Sequence, residues 1–282
     1  MSLFTLKTLI LDELETDRFQ DDVTAQLLET KQYTNGKSIV STREDGIFSG
    51  AAIVQAFHEI FQGTLSLDLK VQESSQIHKG QSLLILKGPL GTLLSVERTL
   101  LNFLGHSCGI ASLTRKFVDA VQPHPTRILA TRKTLPGLRD LQLNAVVAGG
   151  GSIHRRSLSD GILIKDNHTA LEKAEVLLKR AQSCHSPLHG TELEVQNFSL
   201  LQSVLKLEQR PQIIMLDNFS QTELKEAVRL IRQSDPSCKI EASGGVNLNT
   251  VSEIAAAGVD FISVGRLTHS AASLNLTLDF EL

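Results

Sequence analysis

The sequence predicts an α/β protein in which a small α+β region precedes a run of parallel βα units. Residues 36–90 hold short apolar runs separated by turn residues, as in the strands of a small mixed domain. From residue 127 onward, apolar strands alternate with helical stretches every ~20–35 residues, which is the pattern of parallel βα units. Between these regions, residues 92–121 carry apolar side chains at helical spacing.

The first region begins with two predicted short helices, over 5–15 and 22–30. The acidic pair Asp21-Asp22 suits the amino terminus of the second helix, because carboxylates interact favourably with that end of a helix dipole. The predicted strands are 38–42, 65–71 and 82–86. We expect the long helical segment 92–121 to be broken near its glycines, at 105–109, and to lead out of the first region.

The second region contains six predicted strands, each preceded or followed by turn residues. These strands are 127–130, 161–164, 192–195, 212–216, 239–242 and 260–264. The predicted helices between them are 170–181, 200–207, 221–233 and 248–257. Six or more such units in a row favour a barrel, although periodicity alone also allows an open doubly wound sheet.

Charge and aromatic content exclude several classes of protein. The net charge of the 282 residues is −3, whereas nucleic-acid binders are usually strongly basic. The aromatic residues are 11 Phe and one Tyr, with no Trp, which argues against base-stacking platforms and a membrane-interface belt. Residues 101–165 nevertheless carry nine Lys and Arg against three Asp. This cationic segment indicates a small anionic ligand.

The cysteines and the amino terminus predict a cytoplasmic protein. Cys108, Cys184 and Cys238 are widely spaced without a CxxC pair, so neither a disulfide framework nor a zinc knuckle is indicated, and we expect inert thiols. The first residues lack the cleavage site of a signal peptide. No apolar run approaches the roughly 20 residues of a membrane helix.

Basic side chains follow three consecutive strand ends, where the chemistry of a barrel is usually found. They are Arg132, Lys133, His154, Arg155 and Lys165. A single exposed Lys or Arg is usually just solvated, but five that converge on one mouth imply a small polyanion. Arg98 lies on the preceding helical segment, so it could join this set only through another subunit or a domain contact.

Two carboxylates, Glu194 and Asp217, end neighbouring strands and are candidates to hold Mg²⁺ together with a diphosphate. From the residues alone, a pair of solvated or salt-bridged acids is an equally good interpretation. We interpret Glu192, on the same strand as Glu194, as pointing away from the Glu194 face.

The last two strand ends carry glycine turns that resemble the phosphate site of many barrels. Ser243-Gly244-Gly245 follows one strand, and Gly265-Arg266 follows the next and precedes a helix. Glycines let backbone N–H groups approach phosphate oxygens, although two ordinary turns remain the alternative. We interpret His106, His168 and His269 as hydrogen-bonding scaffold.

Nine segments together resemble the quinolinate phosphoribosyltransferase family (nicotinate-nucleotide pyrophosphorylase, carboxylating). They are REDGIFSG (43–50), ERTLLNFLGHSCGIASLTR (97–115), ATRKTLPGLR (130–139), GGGSIHRRSLSD (149–160), LIKDNH (163–168), ELEVQN (192–197), IIMLDN (213–218), EASGGV (241–246) and GVDFISVGRLTHSA (258–271). The resemblance implies an amino-terminal α/β sandwich domain, 1–110, on which 271–282 packs back. An open α/β barrel domain, 111–270, follows it.

The resemblance also implies an activity, a metal and an assembly. The family is a glycosyltransferase of NAD biosynthesis that joins quinolinate to phosphoribosyl pyrophosphate with Mg²⁺, giving nicotinate mononucleotide, diphosphate and carbon dioxide. Its homodimers share active sites, which would bring Arg98 from the partner subunit.

The same resemblance assigns roles to the candidate residues. Quinolinate would be bound by Arg98, Arg132, His154, Arg155 and Lys165, and phosphoribosyl pyrophosphate by Lys133, Ser243, Gly244, Gly245, Gly265 and Arg266. Lys133, Lys165, Glu194 and Asp217 would be catalytic, and Glu194 and Asp217 would hold the metal.

The chain departs from the family pattern at Ile153, where an Asn is usual, at Leu143, Asn144 and Val147, and in the loop 16–22. A paralogue associated with molybdenum transport shares some of these departures. The alternative hypothesis is therefore a barrel protein that acts on, or merely binds, a different small anion.

Overall fold

The computed structural model describes residues 2–184 and 190–281. The chain divides into two compact units. The first unit consists of Met1–Arg115, Asp140–Gly150 and Ser270–Leu282, and the second consists of Lys116–Arg139 and Gly151–His269. Among the described residues, no helix combines the length and the apolar character needed to span a bilayer.

Strands and α-helices occur in both units. The strands are β1 (Asn35–Thr42), β2 (Gly46–Ile47), β3 (Ser66–Leu69), β4 (Gln76–Ile77), β5 (Ser82–Pro89), β6 (Arg127–Ala130), β7 (Ser152–Ile153), β8 (Ile162–Ile164), β9 (Thr191–Val195), β10 (Ile213–Asp217), β11 (Lys239–Ser243), β12 (Phe261–Ser263) and β13 (Leu276–Glu281). The helices are α1 (Leu3–Thr16), α2 (Val23–Gln26), α3 (Ala51–Ile60), α4 (Leu90–Ala120), α5 (Arg139–Ala148), α6 (Asp166–Thr169), α7 (Ala174–Cys184), α8 (Phe198–Leu205), α9 (Gln221–Ser234), α10 (Val251–Ala256) and α11 (Arg266–His269).

The first unit contains an antiparallel sheet in the order β13-β1-β5-β3. In β1 the buried residues Ser38, Val40 and Thr42 alternate with more exposed ones, because successive side chains of a strand point to opposite faces. The sequence analysis predicted only strands between residues 36 and 90 and missed helix α3. Its Ile53 and Phe57, four residues apart, are both buried, which is the spacing of a helix face.

Helix α4 is continuous, so the predicted break near residues 105–109 is wrong. The glycines there have a different role, which is close packing. A Cβ on Gly109 would lie 2.0 Å from the carbonyl oxygen of Ala272, and Gly105 accepts a 2.9 Å hydrogen bond from the Leu274 N–H. Only glycine lets the carboxyl-terminal segment approach the helix backbone this closely.

The second unit contains a parallel sheet in the order β7-β6-β12-β11-β10-β9-β8. This sheet curls into a half-barrel whose edges are β7 and β8, which confirms the predicted open barrel of parallel strands. Strand β7 had not been predicted, because a two-residue strand carries almost no periodic signal. The six strands predicted for this unit differ from the observed ones by at most one residue at either end.

Asp260 joins the amino ends of β11 and β12. Its carboxylate accepts hydrogen bonds from Arg232 at 2.6 Å, from Lys239 at 2.9 Å and from the Ile240 N–H at 2.9 Å. Burial raises the pKa of Asp260, but these donors outweigh that effect and hold its pKa below the usual range. This ion network lies at the end of the sheet opposite to the candidate active site.

Candidate active site

Side chains two residues apart on the barrel strands form two layers, and each layer lines a cavity. The upper cavity, at the carboxyl ends of the strands, has a volume of about 480 Å³. It is lined by Thr131, Arg132, Lys133, His154, Arg155, Leu163, Lys165, Glu194, Met215, Asp217, Asn218, Ser243, Gly244, Gly245 and Ser263. The lower cavity, of about 410 Å³, is lined by Arg127, Leu129, Ser152, Ile153, His154, Arg155, Asp160, Gly161, Ile162, Leu163, Gly190, Glu192, Ile213, Glu241 and Phe261.

The upper cavity holds positive charge that the described residues do not fully compensate. Burial lowers the pKa of the Arg155 guanidinium, and the nearby charge of Arg132 lowers it further, against the opposing carboxylates of Glu192 and Asp160. The Nε–H of Arg132 is buried without a hydrogen-bond acceptor. Two neighbouring guanidinium groups and an unpaired donor are what an anionic ligand would stabilise.

Lys165 and Glu194 form an ion pair in this cavity between the Lys165 Nζ and the Glu194 Oε2. Glu194 is buried, whereas Lys165 is partly exposed and extends from the end of β8. The backbone N–H of Lys165 donates a 2.9 Å hydrogen bond to the Nδ1 of His168, one turn into α6. His168 therefore has the scaffold role that the sequence predicted, because it sets the strand-to-helix turn that carries the lysine.

Asp217 is held through its neighbour Asn218, whose side-chain amide donates to the Asp217 Oδ2 at 2.7 Å. Asn218 has a positive φ of 59°, and its backbone N–H donates to the Ser243 carbonyl at 2.9 Å. Gly244 has a φ of 94°, and a Cβ there would lie 2.1 Å from the Asn218 Oδ1. The glycine turn and the carboxylate therefore form one closely packed unit.

Lys133 lies on the other side of the cavity, after β6. The Thr268 hydroxyl donates a 2.7 Å hydrogen bond to the Lys133 carbonyl, which ties the end of β6 to α11. A Cβ on Gly265 would lie 3.1 Å from the Lys133 Cδ, so this glycine leaves room for the lysine stem. Arg266 is exposed at the first residue of α11 and does not line the upper cavity, and Arg98 is exposed on α4 in the first unit.

Beneath the upper cavity, His154 contacts two buried carboxylates. Its Nε2 is 2.8 Å from the Glu192 Oε2 and 3.3 Å from the Glu241 Oε2. Burial alone would lower the pKa of His154, but the hydrogen bonds and charges of Glu192 and Glu241 raise it to about 10. In turn, burial raises the pKa of Glu192 despite the hydrogen bond from His154.

The interpretation of Glu192 as facing away from Glu194 is wrong. Residues i and i+2 of a strand share a face, so both glutamates point to the concave side of the sheet, in successive layers. The same period places Glu241 beneath Ser243 and Phe261 beneath Ser263. Applied to every strand, it would have found Glu241, which the sequence analysis treated only as part of a motif.

The donor chemistry of the upper cavity fits Mg²⁺ bound together with a diphosphate. Carboxylate and phosphate oxygens are the ligands that this ion prefers, and Glu194 and Asp217 line the same cavity from adjacent strands. Among the described residues, Asp217 has no ion-pair partner, whereas Glu194 is paired with Lys165. Asp217 is therefore the carboxylate better placed to meet a cation.

Two of the three cysteines are buried, as expected for inert thiols. Burial raises the pKa of Cys108 to about 12 and that of Cys238 to about 11, so both are thiols at neutral pH. His106 lies 3.0 Å from the buried amide of Gln142. This contact fits the scaffold role predicted for that histidine.

A parallel half-barrel with cations, carboxylates and glycine turns at its strand ends defines an α/β-barrel protein with a site for small polyanions. Comparison with protein families refines this class. The model of the quinolinate phosphoribosyl transferase C-terminal domain matches residues 110–279, and that of the N-terminal domain matches residues 22–108. The chain therefore belongs to the quinolinate phosphoribosyl transferase family, as the resemblance of its motifs implied.

Individual relatives agree with this assignment. A nicotinate-nucleotide pyrophosphorylase [carboxylating] of Mycobacterium leprae is 39% identical over 240 residues, 84% of each chain. A probable enzyme of the same name from Bacillus subtilis is 33% identical and covers 100% of this chain and 96% of its own. The structure of the nicotinate-nucleotide pyrophosphorylase of Francisella tularensis superposes with a TM-score of 0.90 at 31% identity, over 100% of this chain and 98% of the other. None of these relatives favours the molybdenum-transport alternative.

Proposed function

We propose that this protein is a phosphoribosyltransferase that joins quinolinate to phosphoribosyl pyrophosphate and releases diphosphate and carbon dioxide. The observation that carries the proposal is the pair of neighbouring guanidinium groups, Arg132 and Arg155, in the upper cavity beside the carboxylates and the glycine turn. The names of the relatives support this reaction. The product is nicotinate mononucleotide, an intermediate of NAD biosynthesis.

Quinolinate carries two adjacent carboxylates on a pyridine ring, and it would occupy the cationic side of the upper cavity. Arg132, Arg155, His154 and Lys165 line this side. A guanidinium can bind a carboxylate through two parallel hydrogen bonds, which fixes the plane of the ring as well as its position. The unpaired Nε–H of Arg132 would then gain an acceptor.

Phosphoribosyl pyrophosphate would lie across the opposite side, with its 5′-phosphate at Ser243, Gly244 and Gly245 and its diphosphate near Lys133. Gly265 and Arg266, which do not line the cavity, would extend this phosphate region at the start of α11. Gly244 and Gly245 both have positive φ, a conformation in which glycine exposes its backbone N–H to an anion. Mg²⁺, held by Asp217 and Glu194, would neutralise charge on the departing diphosphate.

In the reaction, the pyridine nitrogen forms a bond to C1 of the ribose while the bond from C1 to the diphosphate oxygen breaks. Positive charge develops on the ribose, and the carboxylates of Glu194 and Asp217 stabilise it electrostatically. The bond to the 2-carboxylate then breaks, its electron pair stays on the ring beside the quaternised nitrogen, and a proton from solvent replaces carbon dioxide. The protein contributes mainly positioning, since no side chain needs to act as a nucleophile.

The direct experiment is turnover of purified protein with quinolinate, phosphoribosyl pyrophosphate and Mg²⁺. We expect loss of the dicarboxylate, with one diphosphate and one carbon dioxide released per quinolinate. Nicotinate, which lacks the 2-carboxylate, is the matched control substrate and should react at least about 100-fold more slowly, because an unmatched buried cation remains in the pocket. Turnover of another azaheterocyclic acid with no turnover of quinolinate would contradict the proposal.

We also propose a homodimer with shared active sites, in which Arg98 of one subunit reaches the dicarboxylate of the other, and a cytoplasmic location. The exposure of Arg98 on α4 supports its availability. Arg98→Ala and Lys165→Ala should each have little activity alone. When the two variants are refolded together, they should regain up to about a quarter of the wild-type activity. Random pairing makes half of the dimers mixed, and each mixed dimer has one intact site out of two. No recovery on mixing would contradict the shared site.

A further inference from the structure

The lower layer of the half-barrel contains two buried carboxylates, Glu192 and Glu241, that the proposed reaction does not use directly. Glu192 and Glu241 are 4% and 1% exposed, and both approach the same nitrogen of His154, at 2.8 and 3.3 Å. The second carboxylate oxygen of each, Oε1, is buried without a partner. Burial of two carboxylates on separate strands, β9 and β11, lowers the stability of the fold unless a positive charge lies between them.

This cluster lies directly beneath the proposed quinolinate pocket. His154 and Arg155 line both the upper and the lower cavity, so they connect the two layers. The charged groups around His154 come from several elements. They are Glu192 on β9, Glu241 on β11, Arg127 on β6, Asp160 and Arg155 on the segment around His154, and Arg132 and Lys165 on the rim of the upper cavity.

The same three side chains could in principle ligate a divalent cation, since their ligand atoms lie within 4.8 Å of one another. The distances instead match hydrogen bonds from one protonated nitrogen to two carboxylate oxygens. Because both carboxylates approach the same nitrogen, Nε2, that nitrogen carries the shared proton in this arrangement and has no lone pair to offer a metal ion.

We propose that Glu192 and Glu241 are positioning residues that keep His154 protonated, so that the imidazolium is a permanent cation of the dicarboxylate pocket. The inference rests on the proposed function and deepens it. A neutral imidazole that donates through Nε2 would leave Nδ1 as an acceptor, which repels a carboxylate. In the imidazolium both ring nitrogens donate, so Nδ1–H can bind a carboxylate while Nε2–H is held by the two acids.

The charge of His154 is measured directly by the ¹⁵N chemical shifts of its imidazole ring, assigned with the His154→Gln variant. In the wild-type protein we expect an imidazolium from pH 6 to pH 9. In Glu192→Gln and Glu241→Gln the ring should titrate within or below this range, because burial then lowers its pKa with less compensation. The exposed Glu253→Gln variant on α10 is the matched control and should leave the ring charged.

Kinetics separate positioning from a merely structural role. Between pH 6 and pH 8.5, the KM for quinolinate should stay nearly constant in the wild type and in Glu253→Gln. In Glu192→Gln and in Glu241→Gln, the KM for quinolinate should rise at least about tenfold over this pH range. The kcat and the KM for phosphoribosyl pyrophosphate should change much less. Such a pH-dependent loss of one substrate's affinity does not follow from a general weakening of the fold.

Four results would overturn the inference. They are a wild-type His154 ring that is neutral at pH 8, a ring that stays charged in both variants, a KM shift that is independent of pH, and one equivalent of a divalent metal that co-purifies with the wild type and is lost in Glu192→Gln. The ring measurement on the wild type tests the charge even if the variants fail to fold. If the wild type does not turn over quinolinate, the proposed function fails, a result distinct from any of these four.

Discussion

Replacement of Gly244 by alanine should separate the chemistry of this protein from its folding. The new Cβ would lie 2.1 Å from the Asn218 Oδ1 and 2.8 Å from the Asn218 backbone nitrogen. Ordinary contact distances require a shift of about 1 Å. Because the Asn218 amide holds the Asp217 carboxylate at 2.7 Å, that shift displaces the carboxylate proposed to meet the metal and diphosphate. A misplacement of this size can cost about 100-fold in rate.

The stability cost of Gly244→Ala should be modest. A φ of 94° for a non-glycine residue costs about 1–3 kcal/mol, and for a chain of this size that corresponds to a Tm lower by about 3–10 °C. Steady-state kinetics with varied phosphoribosyl pyrophosphate, together with thermal unfolding, measure the two effects separately. We expect kcat/KM for that substrate to fall about 100-fold while the protein remains folded at 25 °C.

Gly245→Ala is the matched control, one residue further along the same turn. Gly245 also has a positive φ, 63°, but a Cβ there would meet no atom within 4 Å. Its replacement should cost about 1–2 kcal/mol of folding free energy and leave kcat/KM within about tenfold of the wild type. Equal kinetic losses in the two variants, or full activity of Gly244→Ala, would refute the steric argument.

Three further predictions concern single side chains. Lys165→Met should raise the KM for quinolinate at least about tenfold, because the pocket loses a cation and the buried carboxylate of Glu194, left without its partner, repels the dicarboxylate. An unchanged KM would contradict this role. Asp260→Asn should leave kcat unchanged but lower stability at pH 7 by about 1–3 kcal/mol, since Arg232 loses its partner. Because the pKa of Asp260 is lowered in the folded protein, its contribution is present above about pH 4 and is lost as the pH falls through the folded pKa, so the Tm difference between variant and wild type should shrink in acid. Cys108, whose pKa burial raises to about 12, should resist maleimide labelling in the native protein and react after unfolding, as peptide mass spectrometry would show; rapid native labelling contradicts its burial.

Much of the site could be predicted from the sequence because parallel βα units place the carboxyl ends of their strands at one mouth. Arg132, Lys165, Glu194 and Asp217 were each found from their position at or just after the end of a predicted strand, and the structure brings them to one cavity together with Arg155. The regular geometry of the repeat therefore converts spacing along the chain into proximity in space.

Other features escaped prediction for identifiable reasons. Gly105 and Gly109 suggest a break in the helix, because glycine disfavours helix interiors. The structure shows instead that they make room for the chain around Ala272, more than 160 positions later, and that the helix is continuous. Helix α3 was missed since a short apolar segment among strands does not reveal its period clearly. The continuity of helix α4 therefore depends on a packing partner that is distant in sequence.

The sequence by itself determined the parallel half-barrel, the family and the residues that face its mouth, because these follow from local periodicity and from motifs in a set order. Only the tertiary structure decided the protonation state of the groups in the site. The pKa of His154 depends on Glu192 and Glu241, which lie 38 and 87 positions away on two other strands. Electrostatic interactions act across space between buried groups, so their strength is set by the distances that folding creates and not by spacing along the chain.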